Sequence, residues 1–360
     1  MSISLERNIG LDGMRSIAIM IVLLQHSLFI LPSNKTSKLL SEIINFFDGV
    51  SIFFVLSGFL IGNILIKEAF IKQMNFNSLI IFWKRRWLRT IPSYYLILSL
   101  VLFISLFEKK EEFIIYISHY IFLQNVIYEL APFYPEAWSL SIEEWFYFLF
   151  PITILVFLKF GQKHLSILFS VLVFIFIALL FRFIALENHI VIDFRKPLVF
   201  RIDAIAFGVL FAYFKFKYES IFIEKKRVLF TFGILLILIA SFCKYFCNTY
   251  FLVFFYSFEA LSYSMMLPFI FNINTKKNKR LNMIFFYFST RSYLLYLTNL
   301  SLVIGVVLPL LKNIIPIINQ SYVIRYVLFW VINFAIVEVI YHFFERPILI
   351  WRDKYVTYIN

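Results

Sequence analysis

Three observations predict an all-α, polytopic integral membrane bundle of about ten spans. Hydrophobic residues make up 62% of the 360, and the mean hydropathy is +0.86. Charged residues supply only 15%, against about 25% in ordinary soluble domains. The apolar residues also fall in runs close to the roughly 20 needed to cross a bilayer as a helix, separated by short polar stretches. A water-soluble globule, which would have to hide 48 Phe among other large side chains, is excluded.

Taken in order, the runs near 14–32, 46–66, 91–107, 144–158, 165–186, 198–214, 228–246, 251–273, 292–311 and 322–344 predict ten spans. The fourth is short and can begin within 138–143. Residues 113–127 are apolar but interrupted by His119, Gln124 and Asn125, which predicts an interfacial or re-entrant segment. No repeat or soluble appendage is visible, so 1–360 reads as a single membrane-embedded domain. The first 16 residues lack a short apolar region ending in a cleavage site, so the first span is expected to stay in the membrane.

The formal net charge of +13 is read through topology, with no nucleic-acid partner, because Lys and Arg collect in cytoplasmic loops. With the N-terminus inside, the inner segments hold Lys67, Lys72, Lys84, Arg85, Arg86, Arg89, the 215–227 cluster and Lys276, Lys277, Lys279 and Arg280. The outer ones hold few, among them Lys35, Lys38, Lys109 and Lys110. Both termini are therefore expected on the cytoplasmic side. Cys243 and Cys247, four apart in an apolar run, read as packing residues, and no metal site is predicted.

Charges inside a span are costly and mark function by default. Arg15 and His26 lie eleven apart in the first span, close to three helical turns, so they share one face about 16 Å apart along the axis. With Asp12 beside them, a functional reading overtakes the plainer one of a snorkelling Arg and a hydrogen-bonded His. Arg86 and Arg89, three apart at the mouth of the third span, can grip phosphates bidentately. Taken alone, a simple juxtamembrane basic run explains them better, since such runs are common next to spans. Glu143 and Glu144 follow Trp138-Ser139-Leu140-Ser141-Ile142 into the fourth span. They read either as acids complementing a helix N-terminus or, for Glu143, as a carboxylate directed at His26. Arg201 and Asp203, two apart, do not face each other on a helix, so each is expected to pair elsewhere. Arg182, Arg291, Arg325 and Glu338 are further charges without an assigned role.

Six stretches in order carry a resemblance: GLDGMRSIAIMIVLLQH near the start, VSIFFVLSGFLIG at 50–62, RRWLRTIP at 85–92, WSLSIEEWFYFLFP at 138–151, RIDAIAFG at 201–208 and FFERP at 343–347. From about Asn8 to Ile348 the chain resembles the bacterial membrane acyltransferase-3 family, which O-acetylates surface glycans. The resemblance implies that His26 is essential for acyl transfer and that Arg15 belongs to the same motif. It also implies that Arg86 and Arg89 engage acyl-CoA from the cytoplasm, and that Glu143 is the important acid more than Glu144. Two departures stand out. Ser51 occupies a position where the family commonly has Asp, and Asn299 one where it often has His.

The expectation is an O-acyltransferase of the bacterial cytoplasmic (inner) membrane. It would move an acetyl group from acetyl-CoA to a hydroxyl of a glycan or lipid-linked glycan such as O-antigen, lipopolysaccharide or exopolysaccharide. His26, Glu143 and Asp12 are the catalytic candidates, and Arg15, Arg86 and Arg89 the donor-binding ones. Many relatives carry an extracytoplasmic domain for which this chain has no room, so a separate partner protein is also considered. The alternative is a multispan exporter of a small acyl compound or glycan, with His26 as a proton-relay residue.

Overall fold

The computed structural model describes residues 7–32, 34–108, 113–127, 133–190, 193–246, 250–273, 278–315, 318 and 321–356. Lys109, Lys110, Lys276, Lys277 and Cys247 lie outside the described residues. Among those described there are helices and no strands, and nine helical segments are long and apolar enough to cross a membrane. The chain is a multipass membrane protein. The helices are α1 (Ile9–Ser27), α2 (Lys35–Ile44), α3 (Gly49–Phe70), α4 (Phe76–Glu108), α5 (Phe113–Tyr120), α6 (Trp138–Leu158), α7 (Lys163–Glu187), α8 (Leu198–Lys217) and α9 (Glu219–Glu224). They continue with α10 (Lys226–Phe246), α11 (Phe251–Phe271), α12 (Lys279–Thr298), α13 (Leu308–Ile314), α14 (Tyr322–Ile340) and α15 (Arg346–Tyr355). Two π-helical stretches, Asn299–Val307 and Tyr341–Glu345, join α12 to α13 and α14 to α15.

The expected sixth span is α8, and it accounts for the difference between ten and nine. At 20 residues it is long enough, but Arg201, Asp203, Lys215 and Lys217 dilute its apolar character. The expected third span is the second half of α4. That helix starts at Phe76, so the Arg86–Arg89 pair sits within a continuous helix that also contains Pro92. The fourth span begins at Trp138. The segment 113–127 forms the eight-residue α5 and an irregular run in which Gln124 and Asn125 are buried. Their amides donate to Ala137 O at 3.0 Å and Trp138 O at 2.9 Å.

The chain divides into two compact units. The first comprises residues 1–18, 49–74 and 146–290. Its centre is α8, buried along most of its length, with α3, α7 and α11 packed on it. Small residues permit the contact, as is common between helices in lipid: a Cβ on Gly58 would lie 1.9 Å from Ile205 O, and one on Gly208 would lie 2.1 Å from Val55 O. On α7 the buried positions Ile167, Val171, Phe174, Ala178, Arg182 and Ala185 follow helical spacing along one face. Leu172, Phe176, Leu180 and Phe183 are exposed on the opposite face, as a lipid-facing surface requires.

The charges of this core are paired, as the spacing of Arg201 and Asp203 predicts. Arg182 and Asp203 are both fully buried and form an ion pair. Arg182 also donates to Phe200 O at 2.7 Å, Val253 O at 2.6 Å and Ser257 Oγ at 3.0 Å. Arg201 pairs with Glu259 at 3.5 Å and with Ser51 Oγ, whose hydroxyl donates to Glu259 at 2.8 Å. Its guanidinium also lies 4.3 Å from the centre of the Tyr256 ring. At this site Ser51 links a cation and an anion supplied by two other helices.

The second unit comprises residues 19–48, 75–145 and 291–360. It holds the second half of α1, α2, α4, α5, the first turns of α6, the end of α12, both π stretches and α13–α15. Here α4 is fastened by polar contacts to two helices. Thr90 Oγ1 donates to Glu144 Oε1 at 2.7 Å, and Tyr293 O–H donates to Thr90 O at 2.8 Å. Arg291 and Glu338 form a further ion pair.

Candidate active site

Asn8 starts α1, its side-chain oxygen accepting the Leu11 N–H at 3.0 Å, which satisfies one of the unpaired donors of a helix start. A Cβ on Gly10 would fall 1.8 Å from Ile270 O and one on Gly13 would touch the Phe285 ring, so both glycines are needed for close approach. In the first unit Asp12 is 8% exposed. Its carboxylate pairs with Arg7 and accepts Ser289 Oγ–H at 2.6 Å. Arg15 Nη1 reaches the same Ser289 oxygen at 3.3 Å. Asp12 and Arg15 are therefore joined through Ser289.

His26 is half-buried at the other end of α1. In the second unit its Nδ1 meets Asn299 Oδ1. Asn299 opens the π-helical stretch, where the main-chain register changes from i−4 to i−5. Side chains donate to four successive carbonyls just before it. Thr298 Oγ1 donates to Leu294 O at 2.9 Å, and Asn299 Nδ2 donates to Leu295 O and Tyr296 O, both at 2.8 Å. Tyr134 O–H donates to Leu297 O at 2.8 Å.

This arrangement fixes a proton position. With the NH₂ of Asn299 committed to two carbonyls, only its oxygen can face the ring, and an amide oxygen only accepts. His26 Nδ1 must therefore carry hydrogen, and in the neutral ring the basic lone pair lies on Nε2. Sequence reasoning noted Asn299 only as a departure from a family pattern. The signal it lacked was the π-helical register, which no apolar periodicity reveals.

Glu143 is half-buried and Glu144 is buried. Glu144, one residue further on, binds Thr90 of α4 and lies within electrostatic reach of Arg86. Glu143 lies one turn from Ser139 on the same face of α6, and Ser139 meets the Tyr296 hydroxyl at 2.7 Å. Through Ser139 this face of α6 is linked to the helix that presents Asn299. Arg86 and Arg89 are half-buried. The Arg86 guanidinium lies 5.9 Å from the Phe82 ring centre, and Arg89 is within electrostatic reach of the buried Glu345 of the FFERP stretch. Arg85 points elsewhere, donating to Asp353 at 2.9 Å and to Val356 O. Among the described residues no group of three or more His, Cys, Asp and Glu comes together to hold a metal ion.

The fold is a multihelical membrane bundle that presents a half-buried imidazole held by Asn299. The acyltransferase-3 family model, described as an acyltransferase domain, matches residues 8–342, and the chain belongs to that family. It is similar to O-acetyltransferase OatA of Staphylococcus aureus, 36% identical over 160 residues that make up 40% of this chain and 24% of that protein. It is also similar to peptidoglycan O-acetyltransferase OatA of Listeria monocytogenes, 34% identical over 165 residues, 42% of this chain and 24% of that one. The matched region is thus about a quarter of the length of these relatives. No solved structure matches.

Proposed function

We propose that this protein is a membrane O-acetyltransferase of the bacterial cytoplasmic membrane, moving an acetyl group from acetyl-CoA to a hydroxyl of a cell-surface glycan. The observation that carries the reading is the Asn299–His26 contact, which puts the imidazole lone pair on Nε2. In one route Nε2 takes the proton of the acceptor hydroxyl as its oxygen attacks the thioester carbonyl, the C–S bond breaks, and the proton passes to the CoA thiolate. In the other, Nε2 itself attacks the thioester carbonyl, and the C–S bond breaks to release the CoA thiolate. The acceptor hydroxyl then takes the acetyl group as the N–C bond breaks, its proton passing to the thiolate. Both routes need the same tautomer.

Arg86 and Arg89 suit the phosphates of the donor, since guanidinium groups bind phosphate in a planar, bidentate way. Arg15, steadied by Asp12 through Ser289, is the third donor-binding cation. Glu143 supports the Tyr296–Asn299 end of the site. The relatives' names favour peptidoglycan as the acceptor over lipopolysaccharide or O-antigen. The charge bias along the chain puts the Arg86–Arg89 end on the cytoplasmic side and His26 toward the outer one.

Mass spectrometry of surface glycans tests this, comparing cells with the gene, without it, and with His26→Ala. One alkali-labile acetyl increment, present only with the intact gene, supports the reading and identifies the acceptor. Identical spectra from all three, with the protein present in the membrane, overturn it and leave glycan or acyl export as the activity to assay.

A further inference from the structure

The 3₁₀ turn Pro135–Ala137, just before α6, carries a carboxylate with no role in the reading above. Glu136 is 2% exposed. Its Oε1 accepts the main-chain N–H of Ser301 at 2.9 Å, and its Oε2 accepts Ser301 Oγ–H at 2.5 Å. Its own carbonyl accepts the Tyr296 hydroxyl at 2.7 Å. Tyr134, two residues earlier, supplies the donor to Leu297 O. Three contacts from Glu136 and one from Tyr134 therefore grip residues 296–301, on both sides of Asn299.

The π-helical register is intrinsically poorer than an α-helix and persists where side chains compensate for it. Without the Glu136 carboxylate the buried Ser301 N–H and hydroxyl both lose this acceptor. The segment then gains by returning to i−4 pairing, which re-registers it by one residue. One residue corresponds to a turn of about 100° around the axis, enough to take Asn299 Oδ1 off the imidazole.

We infer that Glu136 is a positioning residue for His26: by fixing the π-helical start of 299–307 it holds Asn299 against Nδ1 and so selects the tautomer with the lone pair on Nε2. This rests on the transferase reading for its biological meaning, but the structural relay can be tested without it.

The experiment uses the full chain in bilayers, labelled with ¹⁵N-histidine and held near pH 8, above the usual imidazole range of about 6.5. There are five histidines, and loss of signals in His26→Gln identifies the relevant pair. Wild type is expected to show protonated Nδ1 and unprotonated Nε2 at His26. Glu136→Ala should mix or invert the two, whereas Glu136→Gln, which keeps an acceptor for the Ser301 N–H, should restore the wild-type pattern. Glycan acetylation should fall about tenfold or more in Glu136→Ala, as for loss of a buried hydrogen bond to a charged group. It should fall no further when Glu136→Ala is added to Asn299→Ala. Should Glu136→Ala fail to accumulate, Ser301→Ala removes only the hydroxyl contact and is expected to shift the same signals part-way. Unchanged His26 signals in these variants, or losses that multiply with Asn299→Ala, overturn the inference. Acetylation that survives His26→Ala would sink the transferase reading instead and leave the ¹⁵N result to decide the role of Glu136.

Discussion

Asn299 presents its oxygen to His26 Nδ1 because its nitrogen is held by the carbonyls of Leu295 and Tyr296, each at 2.8 Å. The contact spans 273 residues of sequence, yet it is the part of the site that decides which ring nitrogen is basic. General-base catalysis typically contributes 10²–10⁴-fold. Asn299→Leu, which offers neither acceptor nor donor, should therefore lower acetylation by about 10²-fold while the protein remains in the membrane. Asn299→His, able to accept through one nitrogen and donate through the other, should retain more activity than Leu. Quantifying glycan acetyl groups per cell at matched protein levels checks this; equal activity in Asn299→Leu and wild type would remove the tautomer argument.

The buried Arg182–Asp203 pair predicts a non-additive pattern in stability. Removing one partner of a buried pair costs about 3–5 kcal/mol, because the other charge is stranded, whereas replacing both with apolar residues is often nearly neutral. Asp203→Ala or Arg182→Met alone should sharply lower the yield and melting temperature of detergent-purified protein. The double change Arg182→Met with Asp203→Leu should recover much of the loss. Wild-type melting in both single variants would contradict the pairing.

Backbone contact between α3 and α8 gives a second stability test. Gly58→Ala would place a Cβ 1.9 Å from Ile205 O, a main-chain atom that cannot move aside without displacing its helix. A loss of at least about 1–3 kcal/mol is expected, as for overpacked cores. Gly161 provides the contrast: nothing lies within 4 Å of an added Cβ, but its φ is +115°. Gly161→Ala should therefore cost only the backbone strain, about 1–2 kcal/mol. Thermal unfolding of the two variants in detergent separates them, and equal effects would argue against the close helix packing.

Much of the architecture is legible in the amino-acid order because lipid demands long apolar runs, and those runs mark nearly every crossing. The case that composition handles least well is α8, where Arg201 and Asp203 sit inside a helix whose neighbours neutralise them. Spacing alone showed that these two must pair elsewhere; it could not name Glu259 and Arg182, which arrive from other helices. Among the candidate residues, Arg15, His26, Arg86 and Arg89 stand out because charge in an apolar run is conspicuous. Glu136 and Asn299 do not, since an acid in a loop and an amide near a helix end are ordinary until the π-helical register makes them necessary. Asp12, conspicuous for the same reason as Arg15, is joined to it through Ser289.

The basic run at 84–89 contains three arginines within five residues, and the structure separates them. Arg85 binds Asp353 and Val356 O, an arrangement that fastens the end of α15 and is partly exposed to solvent. Its removal should cost less than about 1 kcal/mol, as for exposed ion pairs, and leave the response to acetyl-CoA unchanged. Arg86 and Arg89 lie within electrostatic reach of the buried acids Glu144 and Glu345, and lysine at either position keeps the charge but loses the planar fork. If they hold the donor phosphates, Arg86→Lys and Arg89→Lys should raise the KM for acetyl-CoA about tenfold, with kcat nearly unchanged, the signature of lost uniform binding. Purified protein in proteoliposomes, titrated with acetyl-CoA, gives both constants. A KM that rises equally in Arg85→Ala would mean that the run acts only through its bulk charge, and a fall in kcat alone would move Arg86 and Arg89 from donor binding to support of the reacting groups.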